Sequence, residues 1–193
     1  DTQVRSGIYP HPVDFPVVPG FEISGTVIGL GEGVTSVKPG DRVTAIPSMG
    51  GYAEKCVVDE ALVTPIPDEV GLDVAAAFPI QALTAYHMLY TVHNLKKDDV
   101  VLVHAAGGGV GLLVIQMAVH AGCRVIGTVG TPGKEIKALE YGVERVINLN
   151  KEDFVAVVRE MTDGRGVDLV IDSLGAETLD RSFDAVRVLG HVI

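Results

Sequence analysis

Residues 100–111 read VVLVHAAGGGVG, and their types suit one piece of chemistry, the binding of a diphosphate. Val100 to Val103 form an apolar, mostly β-branched run of strand character. Ala105, Gly108 and Gly111 then stand in an AxxGxxG spacing, and Leu112 to Ala121 continue at helical length. Strand, glycine turn and helix in that order let an anion approach backbone that carries no Cβ, with Gly107, Gly108 and Gly109 free to take positive φ. A helix opening near Val110 offers unpaired N–H groups and the positive end of its dipole. Gly111 allows that helix to pack closely on the strand. A second strand, Arg124 to Val129, supplies the context that a lone glycine motif lacks. The reading is a dinucleotide site built on Gly108, Gly109, Val110 and Gly111. The alternative is a strand-to-helix turn that is tight and binds nothing.

Two strand tips carry the rest of such a site. The second strand ends in GTVGT (127–131), without the carboxylate that would grip a ribose 2′-hydroxyl. Gly130, Thr131 and Lys134 offer instead small size, a hydroxyl and a cation, which suit a 2′-phosphate and favour NADPH over NADH. Glu135 argues the other way, although at the start of a helix it would serve the helix dipole. Lys134 could equally be a solvated helix residue. A later strand ends in IDSLG (171–175), where Ser173 is placed to hydrogen-bond a cofactor and Asp172 could be an ordinary helix cap.

The elements that must position these residues fall into two textures. Up to residue 67 the chain has Gly and Pro at short intervals, strands over 21–30, 41–46, 52–58 and 62–65, and turns at 31–33 and 38–41, which argue a small antiparallel β domain. Asp73 is placed to cap a helix over 74–78, Pro79 interrupts it, and helix resumes over 80–93 as a bridge. Beyond it, strands at 100–104, 124–129, 145–148, 167–172 and 188–193 alternate with helices at 110–121, 132–141, 151–162 and 176–186. That alternation specifies a parallel sheet. The domains are read as 1–92 and 93–193.

Composition excludes several classes. The 193 residues are 47% hydrophobic and carry a net charge of −10 with no basic stripe, so nucleic acid is not the principal partner. No long uncharged apolar run suggests a membrane span. Cys56 and Cys123 form no CxxC pair, which excludes a four-cysteine zinc lobe. Free thiols in a reducing, cytoplasmic setting fit better than a disulfide.

The ordered set RSGIYP (5–10), PGFEISGTV (19–27), KPGDRV (38–43), GGYAEKCVV (50–58), LTAYHML (83–89), HAAGGGVG (104–111), GTVGTPGK (127–134) and IDSLG (171–175) resembles the medium-chain dehydrogenase/reductase superfamily. Within it, the likeness is to the zinc-independent quinone oxidoreductase (zeta-crystallin-like) branch. The resemblance implies an α/β chain: a GroES-like antiparallel β domain, then a doubly wound Rossmann domain. Both would be partial, since the family's first strands and its sixth cofactor-sheet strand have no counterpart. It implies no catalytic zinc: Gly20-Phe21-Glu22 stands where zinc enzymes carry GHE, no cysteine lies near Arg5-Ser6-Gly7, and Gln81 occupies the third ligand position. His11, His87 and His104 show no metal spacing, and His104 reads as a satisfied core residue.

The implied activity is NADPH-dependent hydride transfer to a quinone or an α,β-unsaturated carbonyl, a small-molecule substrate. Tyr9 matches a proton donor, or else an aromatic wall of the cleft. Thr84 matches a residue beside the nicotinamide, or else is a helix-interior threonine. Gln3 and Leu149 stand where tyrosines are usual, which weakens the cofactor contacts there. A homodimer is implied for the full-length protein. An enoyl thioester reductase on the same fold is one alternative. A non-catalytic, crystallin-like protein that keeps the cofactor site is another.

Overall fold

The computed structural model describes residues 1–10 and 13–193; His11 lies outside the described residues. The chain divides into two compact units, Asp1–Ile80 and Gln81–Ile193.

The first unit opens with a short helix, α1 (Thr2–Arg5), and is built on an antiparallel sheet of β1 (Ile23–Thr26), β2 (Arg42–Ala45) and β3 (Val63–Pro65) in that order. Ile23 faces Ala45, and Val43 faces Pro65. The sheet is shorter than its sequence suggests. Residues 52–58, expected as a strand, are irregular. The amides just before them are spent on a turn, with Gly50 N–H donating to Val18 O (2.8 Å) and Tyr52 N–H to Pro19 O (2.9 Å). Val57 is 99% exposed, so the run's β propensity finds neither a partner strand nor a core. Helix α2 (Leu72–Ala76) opens two residues earlier than expected, with Gly71 at its N-cap and Asp73 in its first turn. Asp73 therefore favours the helix dipole rather than capping. Helix α3 (Pro79–Tyr86) begins on Pro79, where a missing N–H costs nothing. The Glu22 carboxylate accepts the next amide, Ile80 N–H, at 3.0 Å. A π-helical turn, His87–Val92, continues the helix.

Packing places the division of the units at Ile80–Gln81, against the 92/93 of sequence texture, because Ala85 and Leu89 are fully buried in the core of the second unit.

The second unit alternates β4 (Val100–Val103), α4 (Gly109–His120), β5 (Arg124–Val129), α5 (Glu135–Glu140), β6 (Arg145–Asn148), α6 (Phe154–Met161), β7 (Val167–Ile171), α7 (Leu179–Ala185) and β8 (Val186–Val192). The strands form one parallel sheet in the order β6-β5-β4-β7-β8. Every residue of β4 and β7 is buried, the consequence of covering both faces of a parallel sheet. Side chains alternate between two cores. Val101, Val103, Val125, Leu169 and Ile171 meet Val114, Ile115 and Ala118 of α4. Val100, Leu102, Ile126 and Val170 meet Phe154 and Val158 of α6 and Ala185 of α7. Each large apolar side chain so buried contributes about 1.5–3 kcal/mol relative to exposure.

One charged group lies among them. Asp168 of β7, its side chain 6% exposed, accepts from Val100 N–H (2.8 Å), both Arg165 guanidinium nitrogens (3.0 and 2.7 Å) and Arg187 Nε (2.5 Å). Burial works to raise its pKa, but Arg165, the Val100 amide and Arg187 outweigh burial and hold the carboxyl well below the usual range. The folded pKa thus lies below the unfolded one, so the contribution is present above about pH 4 and is lost as pH falls through the folded value. Asp168→Asn is expected to lower stability at neutral pH by about 2 kcal/mol in urea unfolding, the scale of charged hydrogen bonds. The gap between wild type and variant should narrow below about pH 4; a gap independent of pH would contradict this account.

Candidate functional site

The strand order reverses between β4 and β7: β5 and β6 lie to one side, β8 to the other. In such sheets the ligand crevice opens at the carboxyl ends of the strands flanking this switch point. Here the edges are tied by His104 N–H donating to Ile171 O (2.9 Å) and Ala106 N–H to Thr128 O (2.9 Å).

The glycine turn lies on this edge, but its geometry differs from the expectation in one respect. Gly107, Gly108 and Gly109 do not use positive φ; the left-handed residue is Ala105, at φ 48°. Gly107 and Gly111 are required for close approach to backbone. A Cβ on Gly107 would lie 2.7 Å from Lys134 Cβ and from Lys134 O, and one on Gly111 would lie 2.6 Å from Ala105 O and 3.1 Å from Ala106 Cα. On Gly108 it would meet Ala105 O at 3.2 Å, and on Gly109 the Gln81 amide oxygen at 1.6 Å. Gly108 is the N-cap of the twelve-residue α4 and brings no capping side chain, so the opening N–H groups of Gly109, Val110 and Gly111 face the turn without an i−4 carbonyl. This cradle, closed to side chains and lined by amides, fits a diphosphate.

The 130s loop is pressed against the cradle through the Gly107–Lys134 approach. Gly130, Thr131 and Lys134 are all exposed on it. Asn150 Nδ2 donates to Gly130 O at 2.6 Å and fixes the strand tip. Glu135 differs from them: its Oε2 is buried without a hydrogen-bond partner.

Ser173 is exposed beyond the tip of β7. Its neighbour Asp172 is a cap: Oδ1 accepts from Leu174 N–H and Gly175 N–H (each 3.0 Å) and Thr178 Oγ1 (2.8 Å), and Oδ2 accepts from Ser182 Oγ (2.9 Å). Thr84 is exposed on α3, three residues after Gln81 and so on the same helical face. The sequence marks Gln81 only as a non-ligand; in the structure its side chain reaches from α3 to the glycine turn. Tyr9 belongs to the first unit, half-buried, its ring 5.9 Å from that of Phe21 and tilted by 36°.

His104 is fully buried and hydrogen-bonded at both ring nitrogens, the satisfied core residue that the sequence suggests. Its Nδ1 lies 2.8 Å from Thr128 Oγ1 and its Nε2 3.1 Å from Ser182 Oγ. Burial pushes its pKa down, and the nearby Asp172 charge offsets this only in part.

Among the described residues no three His, Cys, Asp or Glu side chains are grouped to hold a metal ion. Both cysteines are free thiols. Burial, helped by the Asp99 charge, pushes the Cys123 thiol up to about 11. No helix among the described residues is long and apolar enough to cross a membrane.

Comparison with known proteins bears on this geometry. The profile of the alcohol dehydrogenase GroES-like domain matches residues 1–68, and that of the zinc-binding dehydrogenase matches 109–193. The crystal structure of Escherichia coli quinone oxidoreductase, solved in complex with NADPH, superposes with a TM-score of 0.93 at 38% identity, over 100% of this chain and 59% of that one. The chain belongs to the medium-chain dehydrogenase/reductase superfamily. Within the superfamily it is of the quinone oxidoreductase type. A 2-haloacrylate reductase from a Burkholderia species is 40% identical over 98% of this chain. A segment of a reducing polyketide synthase from Hypomyces subiculosus is 40% identical over 90% of it. The chain spans 59% of the length of the Burkholderia reductase and 8% of the synthase. The GroES-like and Rossmann parts, each partial, follow in the order the motifs imply.

The close approach at Gly111 makes a stability prediction. Gly111→Ala places a methyl 2.6 Å from a backbone oxygen, whereas a Cβ on Gly130 meets nothing within 4 Å. Gly111→Ala is expected to cost about 1–3 kcal/mol, the scale of overpacking, and Gly130→Ala less than about 0.5 kcal/mol. Thermal unfolding of the two variants measures the difference; equal melting temperatures would contradict it.

Proposed function

We propose that the protein is an NADPH-dependent, zinc-free oxidoreductase that reduces quinones or α,β-unsaturated carbonyls. The observation that carries this reading is the amide-lined glycine cradle at the sheet's switch point, with Lys134 pressed against it. When bound, NADPH supplies the hydride. Gly108, Gly109, Val110 and Gly111 hold the diphosphate. Gly130, Thr131 and Lys134, exposed together, hold the 2′-phosphate, and Glu135 has one carboxylate oxygen buried away from that exposed rim. Ser173 hydrogen-bonds the cofactor, and the Thr84 hydroxyl orients the carboxamide. Tyr9 delivers a proton to the reduced substrate. Charge that spreads over a conjugated carbonyl needs no metal, and Phe21 stands where a zinc enzyme would place histidine. The substrates named for the Escherichia coli and Burkholderia relatives, a quinone and a 2-haloacrylate, share that conjugation. A cytoplasmic setting agrees with the free thiols. Homodimer formation of the full-length protein completes the proposal.

The polyketide synthase relative favours a second reading, an enoyl thioester reductase. Turnover separates the two: NADPH consumption is followed with a benzoquinone, a simple enone and an enoyl thioester. Quinone or enone reduction with little thioester reduction is expected, and the reverse order would replace the first reading by the second. Lys134→Ala should raise KM for NADPH about tenfold, some 1.4 kcal/mol, and leave KM for NADH within about twofold. Equal effects on both cofactors would remove Lys134 from phosphate recognition. Tyr9→Phe should lower kcat by about 10²-fold or more; an unchanged kcat would remove the phenol from the chemistry.

A further inference from the structure

The hydrogen bonds through His104 and Ser182 join four side chains, His104 just after β4, Thr128 of β5, Ser182 of α7 and Asp172 just after β7, and their directions can be assigned. Asp172 accepts at both oxygens, and hydrogen bonding holds its pKa down against the opposing effect of burial, so it is the anionic end. Ser182 Oγ has two acceptors in reach, Asp172 Oδ2 at 2.9 Å and Thr178 O at 3.0 Å. The charged one is the stronger. With its hydrogen on Asp172, Ser182 Oγ accepts from His104 Nε2–H, which leaves His104 Nδ1 to accept the Thr128 hydroxyl. The relay runs one way, Thr128 to His104 to Ser182 to Asp172, each bond polarising the next.

Two members of this relay, His104 and Asp172, adjoin the crevice walls. His104 immediately precedes Ala105, whose left-handed backbone opens the glycine turn. Asp172 holds the amides of Leu174 and Gly175 and so sets the loop that carries Ser173. The imidazole is not there merely to fill space. It stands 1% exposed, edge-on to Phe154 with ring centroids 4.8 Å apart, and an apolar side chain in its place would leave the buried Thr128 hydroxyl without this partner.

We infer that His104 is a positioning residue of the crevice: through Ser182 and Asp172 it locks the glycine turn after β4 to the 172–175 turn after β7. The two walls of the switch point are then set as one body. The consequence for the cofactor rests on the NADPH reading above; the lock itself does not.

Ser182→Ala cuts the relay at its middle, away from the crevice, and Thr128→Val cuts it at its outer end with little change of shape. Amide hydrogen exchange is followed by NMR, without ligand, at Ala106 and Gly108 on one wall and at Leu174 and Gly175 on the other. NADPH affinity is measured by calorimetry. In Ser182→Ala, exchange should quicken about tenfold or more at both walls, while Val101 and Ile126 in the strands keep their protection; Thr128→Val, which leaves the His104–Ser182–Asp172 link in place, should move both walls less. NADPH should bind to Ser182→Ala about tenfold more weakly. His104→Gln, which retains a donor towards Ser182, should show only part of both losses. Quickening confined to one wall, quickening spread equally through the strands, or NADPH affinity unchanged within about twofold would each overturn the inference. If both walls loosen together but the wild type binds no NADPH, the lock stands and the cofactor reading is what fails.

Discussion

The second unit depends on how closely α4 starts to the end of β4. The carbonyl of Ala105 and the backbone of Ala106 lie where a side chain on Gly111 would be, and Ala106 fills the space that a side chain on Gly127 would need. Only with these three small residues can the first turn of α4 sit over the sheet's edge. Once it does, the rest follows from ordinary packing. The helix lays Val114, Ile115 and Ala118 on one face of β4, β5 and β7, and its free amides are left at the crevice. The free amides and the core packing are therefore consequences of a single constraint, and the turn cannot tolerate larger residues at these positions for structural reasons alone.

The other side of the switch point is held by polar groups. Asp168 ties the amino end of β4 to β7 and to Arg187 of β8, and the His104 relay ties the carboxyl end of β4 to β5, β7 and α7. A parallel sheet buried on both faces has few other places for polar side chains. Each of these groups is hydrogen-bonded, as burial demands.

Much of this was legible in the sequence where the signal was local. VVLV, RVIGTV and VDLVI read as strands because covering both faces selects continuous apolar runs, and AxxGxxG marks the turn because the lack of a Cβ is a property of the residue itself. Three features differ between sequence and structure. The 52–58 run has strand composition but is irregular and pairs with no strand among the described residues. Asp73 looks like a cap, yet Gly71 ends the preceding turn in the extended conformation a cap needs. The positive φ that the glycines advertise is taken by Ala105. The remaining features are non-local. Glu22 meets Ile80, Gln81 meets Gly109, and His104 meets Ser182 across long stretches of chain, and no spacing in the sequence announces such pairs.

The central claim is that the cradle at Gly108–Gly111, with Lys134 beside it, binds a dinucleotide carrying a 2′-phosphate. Its most direct test is the melting temperature of this chain alone, with saturating NADPH and with NADH. A ligand present at about a hundred times its dissociation constant stabilises the fold by about 2.7 kcal/mol. The account predicts a clear rise with NADPH and little with NADH at the same concentration. A rise with NADH alone, or with neither, would contradict it.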